Sequence, residues 1–310
     1  MARLLLAPLL AVAFVAAGCG PGAGPGSGEV ALTVTQDFGS RQVLSREVAD
    51  VPASETVMRL LEGEAKVTTR YGGGFVQSVN GVKGGREGGR PVDWFFFVNG
   101  REAPKGAAAT KVSPGDRIWW DFRDWGEATN VPAVVGSFPE PFLHGPGTGK
   151  RLPVRVECID VESAPCKTAS KMLAEESVPV ATAQFRSQVA EETIRVLVGE
   201  WSQLRDETSI LTLEDGPGAS GVYARPAASG SSIALLDPAG RTVRTLGAGT
   251  GLVAATAAGE GLPTWIVSGT DAAGLASAAA ALKASSLRNR YAAVTQGSRV
   301  LSAPQVERGQ

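Results

Sequence analysis

The chain has 310 residues, 43% apolar and 20% charged, with 30 basic against 31 acidic side chains and a formal net charge of −1. That length carries about two domains around a buried core, and the balanced charge excludes a general nucleic-acid binder, which needs a basic face. A single histidine removes most hydrolase triads and zinc sites. The composition therefore favours binding over turnover, with no catalytic residue, metal or cofactor assigned.

Residues 1–18 read as an export signal. Arg3 precedes the apolar run Leu4 to Ala17, which is shorter than the ~20 residues a membrane helix needs and is closed by small residues. The segment Val15-Ala16-Ala17-Gly18-Cys19 resembles a bacterial lipobox, which implies lipidation of Cys19. An ordinary secretory signal with a coincidental cysteine is the alternative. Residues 19–28, rich in Gly and Pro, form a flexible tether. The expected location is extracytoplasmic, at the bacterial cell membrane through the lipid anchor. Cys158 and Cys166 flank a short loop containing Pro165, and in an oxidising compartment they are expected to pair; a thiolate metal or redox site is the alternative, which lacks a CxxC spacing and a nearby histidine.

Residues 29–126 form the first expected domain. Val30 to Thr35 and Gln42 to Val48 alternate as strands on either side of Gly39-Ser40. Ser54 opens a short helix that carries Val57, Leu60 and Leu61 on one side and ends at Gly63. A strand from Tyr71 leaves through Asn80-Gly81, and a second, Asp93 to Val98, leaves through Asn99-Gly100. A last strand, Arg117 to Trp125, follows Pro114-Gly115-Asp116. One helix then crosses a small mixed sheet, an α+β arrangement resembling a β-grasp.

The stretches Ser54 to Leu61, Gly74 to Gly81, Trp94 to Gly100 and Pro114 to Trp120 resemble, in this order, the transcobalamin-like C-terminal domain family. In the cobalamin carriers of that family the related domain closes over one face of the corrinoid, so the resemblance implies a cobalamin-like or other ring-bearing ligand. The present chain inserts Lys83 to Pro91 between the two Asn-Gly strands.

The residues themselves point to the same surface. Of 19 aromatic residues, 12 lie between Tyr71 and Phe142. Strand alternation sends Trp94 and Phe96 to one face, Phe95 and Phe97 to the other, and separates Trp119 from Trp120. A single helix covers one face and leaves the other to solvent, a second domain or a ligand. Candidate aromatic contacts are Tyr71, Phe75, Trp94, Phe96 and Trp119, with Asn80 and Asn99 fixing polar groups. Packing of that face on the second domain is the alternative.

Residues 127–152 read as a Pro/Gly connector pinned by Phe138 and Phe142, with His144 as a solvated loop residue. Residues 153–297 alternate strands and helices, an α/β layered domain with a substantially parallel sheet. Its expected strands are Val154–Ile159, Val178–Ala183, Ser209–Leu213, Val222–Arg225, Ile233–Leu236, Leu252–Thr256, Thr264–Val267 and Tyr291–Thr295. Its expected helices are Thr168–Glu176, Ser187–Leu204 and Ala272–Ala284. Arg288 and Arg290 could bind an anion, although a surface role is the simpler reading. Residues 298–310 read as a flexible tail.

The leading expectation is a lipid-anchored extracytoplasmic binding protein for a cobalamin-like or other ring-bearing ligand, working beside a membrane transporter. The alternative is an envelope protein–protein interaction module with no small-molecule ligand. A concave aromatic pocket would point to the first, a flat exposed patch to the second. A third reading, an enzyme using Asp121 and Asp124 on envelope polymers, suffers from an i,i+3 spacing that does not place the two carboxylates together.

Overall fold

A computed structural model describes residues 28–147 and 149–306. The signal, Cys19 and nearly all of the tether lie outside the described residues. The fold is mixed α+β, mostly strands in several sheets with few helices.

The first lobe opens with the hairpin β1 (Val30–Gln36) and β2 (Arg41–Val48), followed by the helix α1 (Val57–Glu64). The strands β3 (Val67–Arg70), β4 (Phe75–Val79) and β5 (Val82–Lys83) make a small antiparallel sheet of their own. Then come β6 (Gly85–Glu87), β7 (Arg90–Val98), β8 (Arg101–Glu102) and β9 (Arg117–Asp124). The main sheet runs β2-β1-β9-β7-β6 with β8 on β7. Its central pair, β1 and β9, is parallel, from Ala31 opposite Arg117 to Gln36 opposite Phe122.

Alternation sorts the side chains of this sheet cleanly. Val30, Leu32 and Val34 join Trp94, Ile118, Trp120 and Phe122 under Val57, Leu60 and Leu61 of α1. Burial of each such side chain contributes about 1.5–3 kcal/mol. Thr56, not Ser54, caps α1, its Oγ1 accepting from the Arg59 amide at 3.3 Å. Ser54 stands two residues too early to reach that amide. Gly63 lies inside the last turn, and the extended Ala65 closes the helix. The strand expected from Tyr71 starts only at Phe75, because Tyr71, Gly72 and Gly73 take positive φ in a 3-10 turn.

The second lobe begins with β10 (Val154–Cys158), α2 (Ala164–Glu175), β11 (Val180–Gln184) and β12 (Ile194–Glu200). Short helical turns follow, α3 (Trp201–Leu204), α4 (Thr208–Leu211) and α5 (Pro217–Ser220). A three-stranded antiparallel sheet comprises β13 (Ala224–Pro226), β14 (Ile233–Leu236) and β15 (Thr242–Leu246). The chain ends with β16 (Thr250–Thr256), β17 (Thr264–Gly269), α6 (Ala272–Ala280), α7 (Ala284–Leu287), β18 (Ala292–Gln296) and β19 (Arg299–Ala303). The main sheet has seven strands in the order β11-β10-β12-β17-β16-β18-β19. Its first four strands are parallel, and the last three are added antiparallel. Cys158 and Cys166 are disulfide-bonded, tying the end of β10 to the first turn of α2.

Three expectations are corrected here. The helix expected over Ser187–Leu204 is instead the strand β12 followed by one turn. Ile194, Val196, Leu197 and Val198 are all buried because both faces of this central strand are covered, and a fully buried strand loses the period-2 signature. The strand expected over Ser209–Leu213 is helical, its Ile210 and Leu213 sharing one face three residues apart. The tail expected to fray from residue 298 instead forms β19, which pairs with β18 and buries Ala303.

One face of the seven-stranded sheet packs against α2 and α6, together with Phe138 and Phe142 of the connector. Both rings rest on Trp265, with centroids 6.0 and 4.8 Å away. The other face, with Leu197, Ile266 and Val294, shares a core with Phe38, Phe97 and Trp119 of the first lobe. The aromatic face left uncovered by α1 is therefore closed by the second lobe.

Candidate ligand site between the lobes

The seven aromatic and asparagine residues singled out in the sequence fall into separate places. Tyr71 and Phe75 stand together at one end of the small sheet, ring centroids 6.2 Å apart, and Tyr71 is 86% exposed. Asn80 sits in the exposed β4–β5 turn, its Oδ1 accepting from the Lys66 amide at 3.0 Å. Trp94 is buried on the α1 side and donates to the Val82 carbonyl, while half-buried Phe96 lies 4.8 Å from Trp120. Asn99 is fully buried; its Nδ2 donates to Asp116 and to the Gly145 carbonyl, and its Oδ1 accepts from the Arg117 amide. Trp119 is buried against Tyr291. Tyr71 and Phe75 are thus the only two of the seven that are brought together with exposed rings. His144, read from sequence as solvated, is half-buried instead, with its Nδ1 2.6 Å from the buried carboxylate of Glu140.

The seam between the lobes is held by Asp121. Alternation along β9 turns Trp119, Asp121 and Arg123 away from α1 and toward the second lobe. The fully buried Asp121 carboxylate accepts from Thr35 Oγ1 at 2.6 Å, the Gly39 amide at 3.1 Å and the Tyr291 hydroxyl at 2.9 Å. Burial pushes its pKa up to about 6 despite these donors and the nearby Arg123. Tyr291 is likewise driven up, by its own burial and then by the adjacent carboxylate. Arg123 lies 3.8 Å over the Phe95 ring and donates to the carbonyls of Ala128 and Thr129. Asp124, the second carboxylate of the enzymatic reading, is paired instead with Arg90 on the neighbouring strand.

A cleft of about 950 Å³ opens beside this seam. The β1–β2 turn, Asp37 to Gln42, forms one wall; Arg288 to Arg290 and the stretch from Val300 to Val306 form the other. The turn is tight, with positive φ at Asp37, Phe38 and Gly39. Glycine is required at position 39, because a Cβ there would strike the Asn289 carbonyl and the Trp119 ring. Beneath it, Phe38 packs edge-on against Tyr223 and Tyr291 at 5.1 and 5.0 Å. Asn289 bridges the walls by donating to Gln42 Oε1 at 3.1 Å.

The cleft is cationic. Among the described residues, Arg41, Arg288 and Arg290 line it against the single carboxylate of Asp37. Arg290 is half-buried, and its guanidinium donates to the Ser286 carbonyl and Ser302 Oγ, both neutral. Burial pulls Arg290 below the usual arginine range. In Arg195 the opposite happens, since the hydrogen bonds it donates to Glu157 and Glu207 outweigh burial. The sequence raised Arg288 and Arg290 as possible anion contacts while favouring a surface role, and it singled out none of Phe38, Gln42 and Ser302, whose only signal was a turn and a polar tail.

Among the described residues no group of three or more His, Cys, Asp and Glu side chains is placed to hold a metal ion. No helix among them is long and apolar enough to cross a membrane.

Residues 54–124 match a family described as a domain of unknown function, DUF4430. The match covers α1 through β9, the part of the chain that carries the aromatic strands. Among solved structures, the chain is similar to a crystal structure described as a "putative metal binding protein" from Ruminococcus gnavus. The two are 18% identical over 31% of this chain and 97% of that one, with a TM-score of 0.26. No curated protein matches the chain.

Proposed function

We propose that the chain is a lipid-anchored extracytoplasmic binding protein, held at Cys19 and joined by the tether of residues 19–28 to a two-lobed body that takes its ligand between the lobes. The observation that carries this reading is the cleft. It is concave, its volume of about 950 Å³ lies within the usual range for small-molecule sites, and both lobes contribute walls. Nothing in this reading requires turnover; the chain binds and passes on its ligand, with a membrane transporter as the partner to which it delivers.

The β-grasp-like first lobe and its transcobalamin-like motifs extend the reading to a cobalamin-like or other ring-bearing ligand. Trp94 and Trp119 are occupied by internal packing and Phe38, at the cleft floor, is held between Tyr223 and Tyr291, which leaves Tyr71 and Phe75, outside the cleft, as the exposed aromatic pair. A second reading is supported by that exposed pair. Two large rings standing in solvent form a small apolar tip suited to docking on an envelope protein.

Hydrogen exchange on purified protein titrated with a corrinoid panel and neutral ring compounds tests both. Ligand binding in the cleft protects residues 37–42 and 288–306. Protection confined to residues 71–75, in the presence of envelope extract but not of any small molecule, selects the docking module. No protection of the cleft by any compound in folded protein refutes the ligand reading.

A further inference from the structure

We infer that the cleft between the lobes is an oxyanion site, taking a small molecule that bears a carboxylate or phosphate beside an apolar part, with Arg288 and Arg290 as its anchors. The inference rests on the reading of the cleft as the ligand site and names the chemistry that site would recognise.

The charge arrangement argues for it first. Among the described residues, the other partly buried arginines of the second lobe pair with acids, Arg155 and Arg195 with Glu157, Arg195 also with Glu207, and Arg205 with Glu214, whereas exposed ones such as Arg151 and Arg225 donate only to neutral oxygens. Arg290 has no carboxylate within ion-pair distance among the described residues. It is nevertheless drawn half out of water and fixed by two neutral oxygens. Taking an unpaired cation out of water is costly unless something compensates. Arg288, two residues away across the left-handed Asn289, lines the same cavity with an exposed side chain and no acidic partner among the described residues.

The opposite wall supplies the rest of the pattern. Arg41 reaches the cleft from the first lobe, and its pairing with Asp37 is a long 3.8 Å contact between exposed groups, which water and salt weaken readily. Ser40, Gln42, Ser302 and Gln305 add neutral hydrogen-bonding groups, while Val300, Leu301, Pro304 and Val306 add apolar surface. Guanidinium groups with neutral donors and an adjoining apolar wall match an anionic head on an apolar body. Aromatic stacking, the basis of the corrinoid expectation, plays no part in this recognition.

Isothermal titration of the purified full chain with phenyl phosphate, inorganic phosphate and succinate tests the inference, with benzyl alcohol as the neutral counterpart and hydrogen exchange to locate binding. The expected result is saturable binding of phenyl phosphate that weakens as salt rises and that benzyl alcohol does not match. Arg288→Gln should weaken it about tenfold, the loss of one charge-assisted contact. Arg288 is exposed, so this variant folds; Arg290→Lys, which keeps the charge but loses the fork, is the second variant and should also bind more weakly. Phosphatidylglycerol vesicles separate the two sources of phosphate. Arg288-dependent binding of soluble phosphate identifies a free ligand, whereas Arg288-dependent binding of vesicles alone identifies a lipid headgroup, and either supports the oxyanion site. No saturable binding of any anion, or binding indifferent to Arg288→Gln, overturns the inference. Should benzyl alcohol protect residues 37–42 and 288–306 while the anions do not, the oxyanion assignment fails and the cleft remains a ligand site. If no compound protects those residues, both fail.

Discussion

Replacing Asp121 by asparagine should abolish a specific part of the pH dependence of stability. The carboxylate is fully buried at the seam, and its pKa rises from 3.8 to about 6 on folding. A gap of about two pH units corresponds to about 3 kcal/mol of linked stability. Because the folded-state pKa lies above the unfolded one, the stabilisation belongs to the protonated acid. It is complete below about pH 4 and is lost as pH rises through about 6. Above that, the ionised group persists on its three donors, Thr35, Gly39 and Tyr291. In the Asp121→Asn protein the amide oxygen can keep two of these donors, and nothing at that position titrates. Urea denaturation at pH 4 to 8 measures both proteins, with tryptophan fluorescence reporting the seam because Trp119 lies 5.4 Å from Tyr291. Other carboxylates contribute equally to both chains and cancel. The stability of the native chain minus that of the variant should fall by about 3 kcal/mol between pH 4 and 7, mostly between pH 4 and 6. A difference that is flat across that range, or that grows with pH, refutes the account of Asp121.

Three further outcomes follow from the same geometry. Tyr291→Phe removes a donor from a buried carboxylate and should cost about 2 kcal/mol at pH 7, read from the denaturation midpoint, with a smaller loss at pH 4 where the acid is neutral. Gly39→Ala, forced against the Asn289 carbonyl at a φ of 78°, should lose more than about 2 kcal/mol, while Gly63→Ala, in open space within α1, should gain about 0.5–1 kcal/mol; equal melting temperatures for the two would contradict the close packing of the turn. Replacing both Cys158 and Cys166 with alanine should cost about 2–3 kcal/mol, as expected for a crosslink closing a short loop, and an unchanged midpoint would show that the crosslink contributes nothing.

The first lobe was the more legible half. Val30, Leu32 and Val34 alternate, Val57, Leu60 and Leu61 repeat at helical spacing, and Asn80-Gly81 and Asn99-Gly100 mark hairpin turns with positive φ at all four residues. The second lobe was obscured where strands are covered on both sides, because Ile194 to Val198 then shows a continuous apolar run that a helix can also display. Among the site residues, Trp94, Phe96 and Trp119 stood out by chemistry, but what they touch depends on tertiary packing that periodicity does not encode. Trp119 meets Tyr291, and Phe38 meets Tyr223, across more than half the length of the chain. The cleft was illegible for the same reason: its walls, at residues 37–42 and 288–306, become neighbours only when both sheets are formed.

The order of these contacts along the chain sets a timetable for folding. Emerging from its N-terminus, the chain can pair β1 with β2 at once, yet the other edge of β1 stays open until β9 is complete. The aromatic face of Phe97 and Trp119 then waits longer still, for a tyrosine that immediately precedes the penultimate strand. A half-made molecule thus displays first an unpaired strand edge, until β9 closes it, and then bare indole and phenyl rings, until the tyrosine arrives, the features that invite aggregation. A chain halted before residue 291 should therefore be captured by holding chaperones or cleared by proteases, and the arrival of one late side chain decides when the newly made protein is safe to release.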